Sequence, residues 1–591
     1  MRDEISPRPP STMTKTQPTP NSSAYAIADE ENYAKAHAAL GELKNIAAGL
    51  PLGGRKSDLF LAQCFVLFKP DPLRIPGGGG SIEDTPHPKF WAAIHGVQIL
   101  NIILTRFPEP PAPMEPDQKR AHGLFCDIIM KQWENIWKWV SFGSRRCLQQ
   151  KEHPLSKETQ VLLVANLIQF IHACFWQGAG NPLHDALMEK EWGPLVDLWY
   201  VQACHPYLDE DLRGTTTQIL EEWITLDRQD KEECWKLIMA RLGEPPEELA
   251  SIMITRFLRL LRKAIIFSEG TRPPIVPHIT FMIELSDAQS VRSLLSSLHS
   301  TYFFTRSLVH FSYEMAFLPS NLRADPWRIR IREMMCLYLH ETFELSEGIT
   351  WVRRSLEAGL LLGILRSAPQ DPKEDVTQLC NLINVVCRYL VYVSVLRPVM
   401  RTINKLDLDH MERDIAKEGP FWEAWTKLKE VTDERLLVAG SRISKRCSYD
   451  ECDRMDIMGD FKRCSGCEDA TYCSPICQKL DWTDKRHRTY CKKTQTSHRE
   501  GKGVELSQED YAFCKLVFVD DVRRMDDEIG QLWKRPKKPT HPAVEIDYTK
   551  FPPKRSFKDI PDKISGHTTF IAKIPFGCLF NHIDVDTVSR G

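Results

Sequence analysis

The sequence predicts a mainly α-helical protein: a large, irregular, solenoid-like helical array, then a small cysteine-rich module, then a short strand-containing segment. Three observations support this order. Before Gly440, apolar residues recur at steps of three and four, which is the spacing of one helix face. Seven of the 18 cysteines lie between residues 447 and 491. Near the end of the chain, short segments alternate apolar and polar residues, as half-buried strands do.

Length and charge limit the classes of protein. A chain of 591 residues exceeds what a single core holds, so it predicts about two to four domains. The net charge of −2 gives no general attraction to nucleic acid or to an anionic membrane. The apolar stretch 382–396 is too short to span a bilayer and contains Asn384 and Arg388, so it predicts a buried helix and no membrane partner. We expect an intracellular protein, cytoplasmic or nuclear, whose thiols stay reduced.

The part before the cysteines divides in two. Residues 1–24 are rich in Pro, Ser and Thr and predict a disordered tail. Residues 25–440 predict the helical array, which could consist of two packed lobes. Its sequence has no repeat of fixed period. A typical helix lies near residue 100, where one face carries Phe90, Ala93, Val97, Leu100, Leu104 and Phe107. On a later helix, four basic residues predict a solvated face, with a site for a phosphate or an acidic partner as the alternative: Arg256, Arg259, Arg262 and Lys263.

The segment 502–591 predicts one helix and a small β-structure. The helix extends from about Gln508 to Trp533. Residues 543–551 then alternate, with Val544, Ile546 and Tyr548 on one face, and residues 567–574 repeat the pattern weakly. Between the helix and the first of these segments, the basic run KRPKKP at 534–539 is either a nuclear import signal or a charged linker.

The cysteine-rich window contains four close ligand pairs. They are Cys447-x4-Cys452, Cys464-x2-Cys467, Cys473-x3-Cys477 and His487-x3-Cys491. Two ligands with two to four residues between them reach one metal without backbone strain, and zinc takes four such ligands tetrahedrally. Eight ligands therefore predict two structural zinc ions. A redox pair would need two thiols in a βαβ context, and the window lacks the apolar residues that would bury the sulfurs by packing alone.

The same window resembles a MYND-type zinc finger. Beyond the ligand pairs, the matching features are Tyr472 before the fifth cysteine, a glutamine after Cys477, and the Asp481-Trp482 step. The spacing alone indicates pairs; the resemblance implies an interleaved arrangement. One zinc would be held by Cys447, Cys452, Cys473 and Cys477, the other by Cys464, Cys467, His487 and Cys491.

The chain departs from the family pattern at two places. The first ligand pair has four intervening residues where the family usually has two, which a loop can absorb. Four residues also separate Trp482 from His487, where two are usual. Two extra residues turn a helical side chain by about 200°. Either the helix ends before His487, or that ligand arrives on a loop.

The resemblance also implies a function. MYND modules hold short proline-containing peptides in a shallow groove, and the groove residues that match here are Ser465, Gln478 and Trp482. Ser474 and Pro475 are typical of a helix start, which would place Gln478 and Trp482 one turn apart on one face. The alternative for Trp482 is a plug in the small core between the zinc ions.

We therefore predict a zinc-binding adaptor, scaffold or regulatory protein that binds other proteins and is not an enzyme, since closed zinc sites leave no position for substrate. The enzyme alternative, a SET-type lysine methyltransferase, would need an Asn-His-x-Cys segment after the finger, and the Asn-His at 581–584 lacks the cysteine. A nucleic-acid-binding regulator is the third alternative. Residues 441–500 carry 13 Lys and Arg against 10 Asp and Glu. Seven thiolates and two zinc ions cancel this positive surplus, so the module lacks the basic surface that nucleic-acid binding needs. The proline-rich segment 108–116 could occupy the groove from within the chain.

Overall fold

The structure is a computed structural model. The residues it describes are 88–105, 115–148, 157–178, 180–190, 192–205, 208, 215–226, 231–266, 274–318, 325–345, 348–369, 374–413, 415–440, 445–456, 461–467, 470–484, 486–500, 506–525, 542–559, 569–573 and 579–580. The predictions for residues 1–24, 108–114 and 534–539 lie outside them. The chain divides into two compact units, Met1–Ile219 and Leu220–Gly591.

The described part of the first unit is helical. Its helices are α1 (Pro88–Leu104), α2 (Pro116–Lys131), α3 (Trp133–Leu148), α4 (Lys157–Phe175), α5 (Pro182–Lys190), α6 (Trp192–Cys204) and the start of α7 (Thr215–Leu226). Helix α4 packs against α1, α3 and α5, while α3 also packs against α6. Among the described helices, α4 alone has the length and apolar composition to cross a membrane, and 61% of its apolar window is buried inside the protein.

The second unit begins with an array of further helices. They are α8 (Lys231–Leu242), α9 (Pro246–Ile266), α10 (Ile275–Ser286), α11 (Gln289–Ser297), α12 (Ser300–Ala316), α13 (Pro326–Leu345), α14 (Ile349–Ala358), α15 (Leu360–Arg366), α16 (Thr377–Tyr389), α17 (Val393–Lys405), α18 (Leu408–Glu412) and α19 (Pro420–Ala439). Three rings join α9, α12 and α13: Phe257 stacks on Phe304 with centroids 4.0 Å apart, and Phe304 stacks on Tyr338 at 3.8 Å. All three are buried, so the array has an aromatic core here.

Two predictions for this array need correction. The stretch 382–396 is buried, but it forms parts of two helices, because α16 ends at Tyr389 and α17 begins at Val393. Only Asn384, Arg388 and Ser394 of this stretch are partly exposed, and so few polar positions do not mark where one helix ends and the next begins. On α9, Arg256 is fully buried rather than solvated. It lies three residues after Met253 and four before Leu260, so it falls on the buried row of the helix.

The last elements that the structure describes are a helix and a four-stranded sheet. Helix α22 is Gln508–Arg523 and ends before the predicted residue 533. The strands are β5 (Pro542–Asp547), β6 (Lys554–Asp559), β7 (Thr569–Lys573) and β8 (Leu579–Phe580), in the order β6-β5-β7-β8. Strand β5 is antiparallel to β6 and parallel to β7.

The side chains of β5 follow the predicted alternation only in part. Val544, Ile546 and Tyr548 are buried, as the pattern indicates. Glu545 points to the opposite face and is nevertheless also buried. Its carboxylate lies 3.1 Å from Nζ of Lys573 on the neighbouring strand β7, so an ion pair accompanies its burial.

Candidate metal centre

The cysteine-rich module has little regular structure. It consists of β1 (Lys445–Arg446), β2 (Met455–Asp456), β3 (Lys462–Arg463), β4 (Thr471–Tyr472), α20 (Pro475–Thr483) and α21 (Arg486–Arg499). Strand β1 pairs with β2 and β3 pairs with β4, both antiparallel. The buried cluster at its centre is made largely of cysteine sulfurs, together with Phe461, Ala470 and Tyr472. A module with so few apolar side chains needs another source of stability, which bound metal supplies.

The first group of ligands contains only cysteines. Cys447, Cys452, Cys473 and Cys477 place their sulfur atoms within 4.8 Å of one another. The Sγ of Cys473 lies 3.6 Å from that of Cys452 and 3.5 Å from that of Cys477. Local hydrogen bonds hold the ligands. The Cys452 N–H donates to the Tyr449 carbonyl at 2.9 Å, and the Cys477 N–H donates to Oγ of Ser474, the N-cap of α20, at 3.2 Å.

The second group is more deeply buried. Cys464, Cys467, His487 and Cys491 are each less than 5% exposed, and their ligand atoms also lie within 4.8 Å of one another. The Sγ atoms of Cys464 and Cys491 are 3.8 Å apart, and Sγ of Cys467 is 3.9 Å from Nε2 of His487. The Cys464 N–H donates to the Ala470 carbonyl at 2.9 Å, which closes the turn that carries the first two ligands.

Both groups fit zinc. Tetrahedral zinc with Zn–S bonds of about 2.3 Å has sulfur atoms about 3.8 Å apart, close to the separations seen here. The two groups alternate along the chain, so the interleaved arrangement implied by the resemblance is the one that the structure has. Each zinc ion would receive four protein ligands, and no position would remain for water or substrate. Such sites stabilise a fold.

The helix break before His487 resolves one open alternative. Helix α20 ends at Thr483 and α21 begins at Arg486, so the chain turns before the ligand. His487 lies in the first turn of α21, four residues before Cys491. Residues four apart share a helix face, so both side chains reach the same metal.

The comparison with known families agrees with this geometry. Residues 447–491 match the family model of the MYND finger. This segment is a MYND zinc finger. No curated protein and no solved structure matches the chain. MYND fingers mediate protein–protein interactions, so the chain carries a zinc-binding interaction module.

Electrostatics shift the pKa values within the second ligand group in both directions. Burial opposes ionisation of Cys464, but the Cys467 backbone N–H and the His487 side chain outweigh it and lower the pKa of Cys464 to about 7. The Cys467 side chain raises the pKa of His487 to about 9, against the effect of burial. Burial raises the pKa of Cys491 in the same group to about 12, so the thiolate form is favoured at Cys464 and not at Cys491, and zinc binding must displace a proton from His487.

Tyr472 fills the core of the MYND finger. Its side chain is 1% exposed, and its ring meets the His487 ring edge to face with centroids 5.6 Å apart. Its hydroxyl donates to Oδ2 of the buried Asp481 at 2.7 Å. Burial and the Asp481 carboxylate raise the pKa of Tyr472 far above its usual value, so the phenol keeps its proton. The sequence pattern included both residues, but it carried no sign of this bond.

The three groove residues lie around the second ligand group and on α20. Ser465 is exposed in the turn between Cys464 and Cys467. Gln478 is half-buried on α20, one helical turn before Trp482. Trp482 is 39% exposed, and its ring centroid lies 5.8 Å from that of His487.

A salt bridge joins the MYND finger to the helices of the second unit. Arg463 of β3 donates both of its terminal nitrogens to the two carboxylate oxygens of Glu357 on α14. Burial alone would raise the pKa of Glu357, but Arg463 reverses the effect and the pKa is lowered. The partners are 106 residues apart in the chain, and no local pattern marks the pair.

Proposed function

We propose that this protein is an adaptor or regulatory protein whose MYND finger captures short proline-containing peptides from partner proteins. The observation that carries the proposal is the partly exposed Trp482 beside Gln478 on the surface of α20. An extended proline-rich peptide has no internal hydrogen bonds. Its rings can stack on an indole while its free carbonyls accept hydrogen bonds from a side-chain amide.

The division of roles between the two large aromatic residues supports a surface function for Trp482. A core plug would be enclosed, as Tyr472 is at 1% exposure, whereas Trp482 is 39% exposed. The buried Tyr472 ring already contributes to this core, which supports a surface role for Trp482 over that of a plug. The exposed indole remains available for stacking on a ligand.

We propose no catalytic role for the two zinc ions, because four protein ligands complete each coordination shell. Binding of S-adenosylmethionine to the full-length protein would contradict this and favour the methyltransferase alternative. Binding to nucleic acid with a steep salt dependence would favour the third alternative. The proposed role is compatible with the cytoplasm and with the nucleus.

The test uses the full-length, zinc-loaded protein and a displayed library of proline-containing peptides. We expect the wild type to select peptides with a shared motif, and Trp482→Ala to weaken binding of the selected peptide at least tenfold. The matched control is Leu480→Ala, because Leu480 lies on the same helix and is similarly exposed, at 41%. Zinc content is measured for each variant. Equal losses for both variants, or no selected motif, would contradict the proposal.

A further inference from the structure

A cavity of 440 Å³ lies in the second unit, where the C-terminal sheet meets α16, α19 and α22. None of the eight zinc ligands and none of the three groove residues lines it. Its volume falls within the range of about 300–1,000 Å³ that is usual for small-molecule sites. Three properties of its lining indicate what it would bind.

The first property is an excess of positive charge. Five cationic side chains line the cavity: Arg388, Lys427, Arg435, Arg524 and Arg555. Only two carboxylates, those of Glu434 and Asp521, line it with them. Carboxylates outside the lining pair with three of these cations: Glu344 with Arg388, Glu430 with Lys427, and Asp520 with Arg524. The side chains that line the cavity therefore carry a formal surplus of three positive charges, which favours an anion inside it.

The second property is a buried donor at the lining. Arg435 is 5% exposed, and its two terminal nitrogens donate to Asp521 at 3.0 and 2.9 Å. The Tyr548 hydroxyl donates to the same carboxylate at 2.7 Å. Within the described part of the chain, Nε of Arg435 has no hydrogen-bond acceptor. A buried N–H without an acceptor is unfavourable, so an acceptor on a ligand would stabilise this arrangement.

The third property is an apolar wall. Val391, Val431 and Ile546 are buried beside the cavity, and Phe551 and Pro553 line it from the loop between β5 and β6. A lining made only of ion pairs would hold water. Apolar side chains beside a group of cations instead favour a molecule that is part apolar and part anionic.

We propose that this cavity binds a small organic anion, with a carboxylate or phosphate group on an apolar body. The acid group faces the cations around Arg435, and the apolar body lies against Val391, Val431 and Ile546. The site is separate from peptide capture by the MYND finger, so either function can fail without the other.

The experiment titrates the full-length, zinc-loaded protein with four probes by calorimetry. The probes are octanoate, octyl phosphate, octan-1-ol and octylamine, which share a chain and differ in charge. We expect at least one of the two anions to bind, the alcohol to bind at least tenfold more weakly, and the amine not to bind. Failure of both anions to bind, or equal binding of the alcohol, would overturn the proposal.

Variants locate the binding site. We expect Arg524→Ala to weaken binding of the anion about fivefold or more, because Arg524 lines the cavity and is exposed at its surface. The control is Arg523→Ala, an exposed neighbour outside the lining, which we expect to leave binding unchanged. Val431→Phe fills the cavity without changing its charge and is expected to abolish binding, with circular dichroism confirming the fold. Equal effects at Arg523 and Arg524 would overturn the proposal.

Two further arms separate this site from its alternatives. We expect the anion to bind equally well to Trp482→Ala, since Trp482 does not line the cavity. A membrane lipid offers the same chemistry as the soluble probes, so cosedimentation with vesicles containing phosphatidic acid forms the second arm. Binding to such vesicles without binding to free octanoate or octyl phosphate would overturn the assignment to a small soluble molecule.

Discussion

The Tyr472→Phe substitution tests how the core of the MYND finger is stabilised. It removes one hydroxyl, which donates at 2.7 Å to the carboxylate of Asp481, and leaves the ring in place. Both side chains are buried, at 1% and 7% exposure, and the described residues give Asp481 no other side-chain hydrogen bond. A hydrogen bond to a buried charged group contributes about 2 kcal/mol.

That free energy converts directly into zinc affinity. Folding of a small zinc module is coupled to metal binding, so a loss of about 2 kcal/mol in folding lowers the overall binding constant for the two zinc ions about 30-fold. The assay is competition for zinc between the full-length variant and a chromophoric chelator. We also expect the double variant Tyr472→Phe/Asp481→Ala to recover part of the loss, because no buried carboxylate is then left without a donor.

The chain contains a matched control for this experiment. The Tyr449 hydroxyl donates to Glu451 at 2.8 Å, so the bond has the same chemistry and nearly the same length, but it lies at the surface. Surface substitutions change stability by about 0.5 kcal/mol or less, so Tyr449→Phe should alter zinc affinity only about twofold. If Tyr449→Phe and Tyr472→Phe weaken zinc binding equally, or if neither does, burial of the Tyr472–Asp481 bond is not what stabilises the finger.

Three more outcomes are expected. Arg463→Ala should weaken the attachment of the finger to α14, with a coupling to Glu357 of about 1 kcal/mol in a double-mutant cycle, and a coupling near zero would show that the pair is incidental. Asp521→Ala leaves the buried Arg435 without its counter-charge, which lowers the free energy of unfolding by about 3–5 kcal/mol. Amide exchange in α22 should then rise by about 10²-fold or more, and a rise of less than tenfold would contradict this. Removal of zinc with a chelator should increase amide exchange in α20 and α21 but not in α12, whose core is aromatic, and uniform loss of protection would contradict that separation.

The metal centre could be predicted because its determinants are local. Ligands a few residues apart are held near one another by the covalent chain, so their spacing alone indicates pairs that share a metal. The start of α20 is equally local, since the Ser474 side chain accepts from an N–H three residues later. The family resemblance added the interleaving, which the spacing left open, and the arrangement of the eight ligand atoms agrees with it.

Strand β6 is an element that its own sequence pattern does not predict. Its residues read KRSFKD, and Phe557 is 37% exposed although it pairs opposite the buried Val544. None of the side chains described for β6 is buried, so this edge strand shows no alternation between buried and solvated residues. Its pairing with β5 is a property of the sheet and not of its own residues. Arg256 is the corresponding case in a helix, since a charged residue at a buried position reads as part of a solvated face.

The sequence by itself determined the helical class of the chain, the eight zinc ligands and the start of the helix that carries Gln478 and Trp482. The tertiary structure decided which aromatic residue fills the core of the MYND finger and which acid receives Arg463. It also brought Arg435 of α19 together with Asp521, 86 residues away, to form the lining of a cavity. The spacing of neighbouring residues follows from bond geometry, whereas contacts between distant residues depend on how the whole core packs.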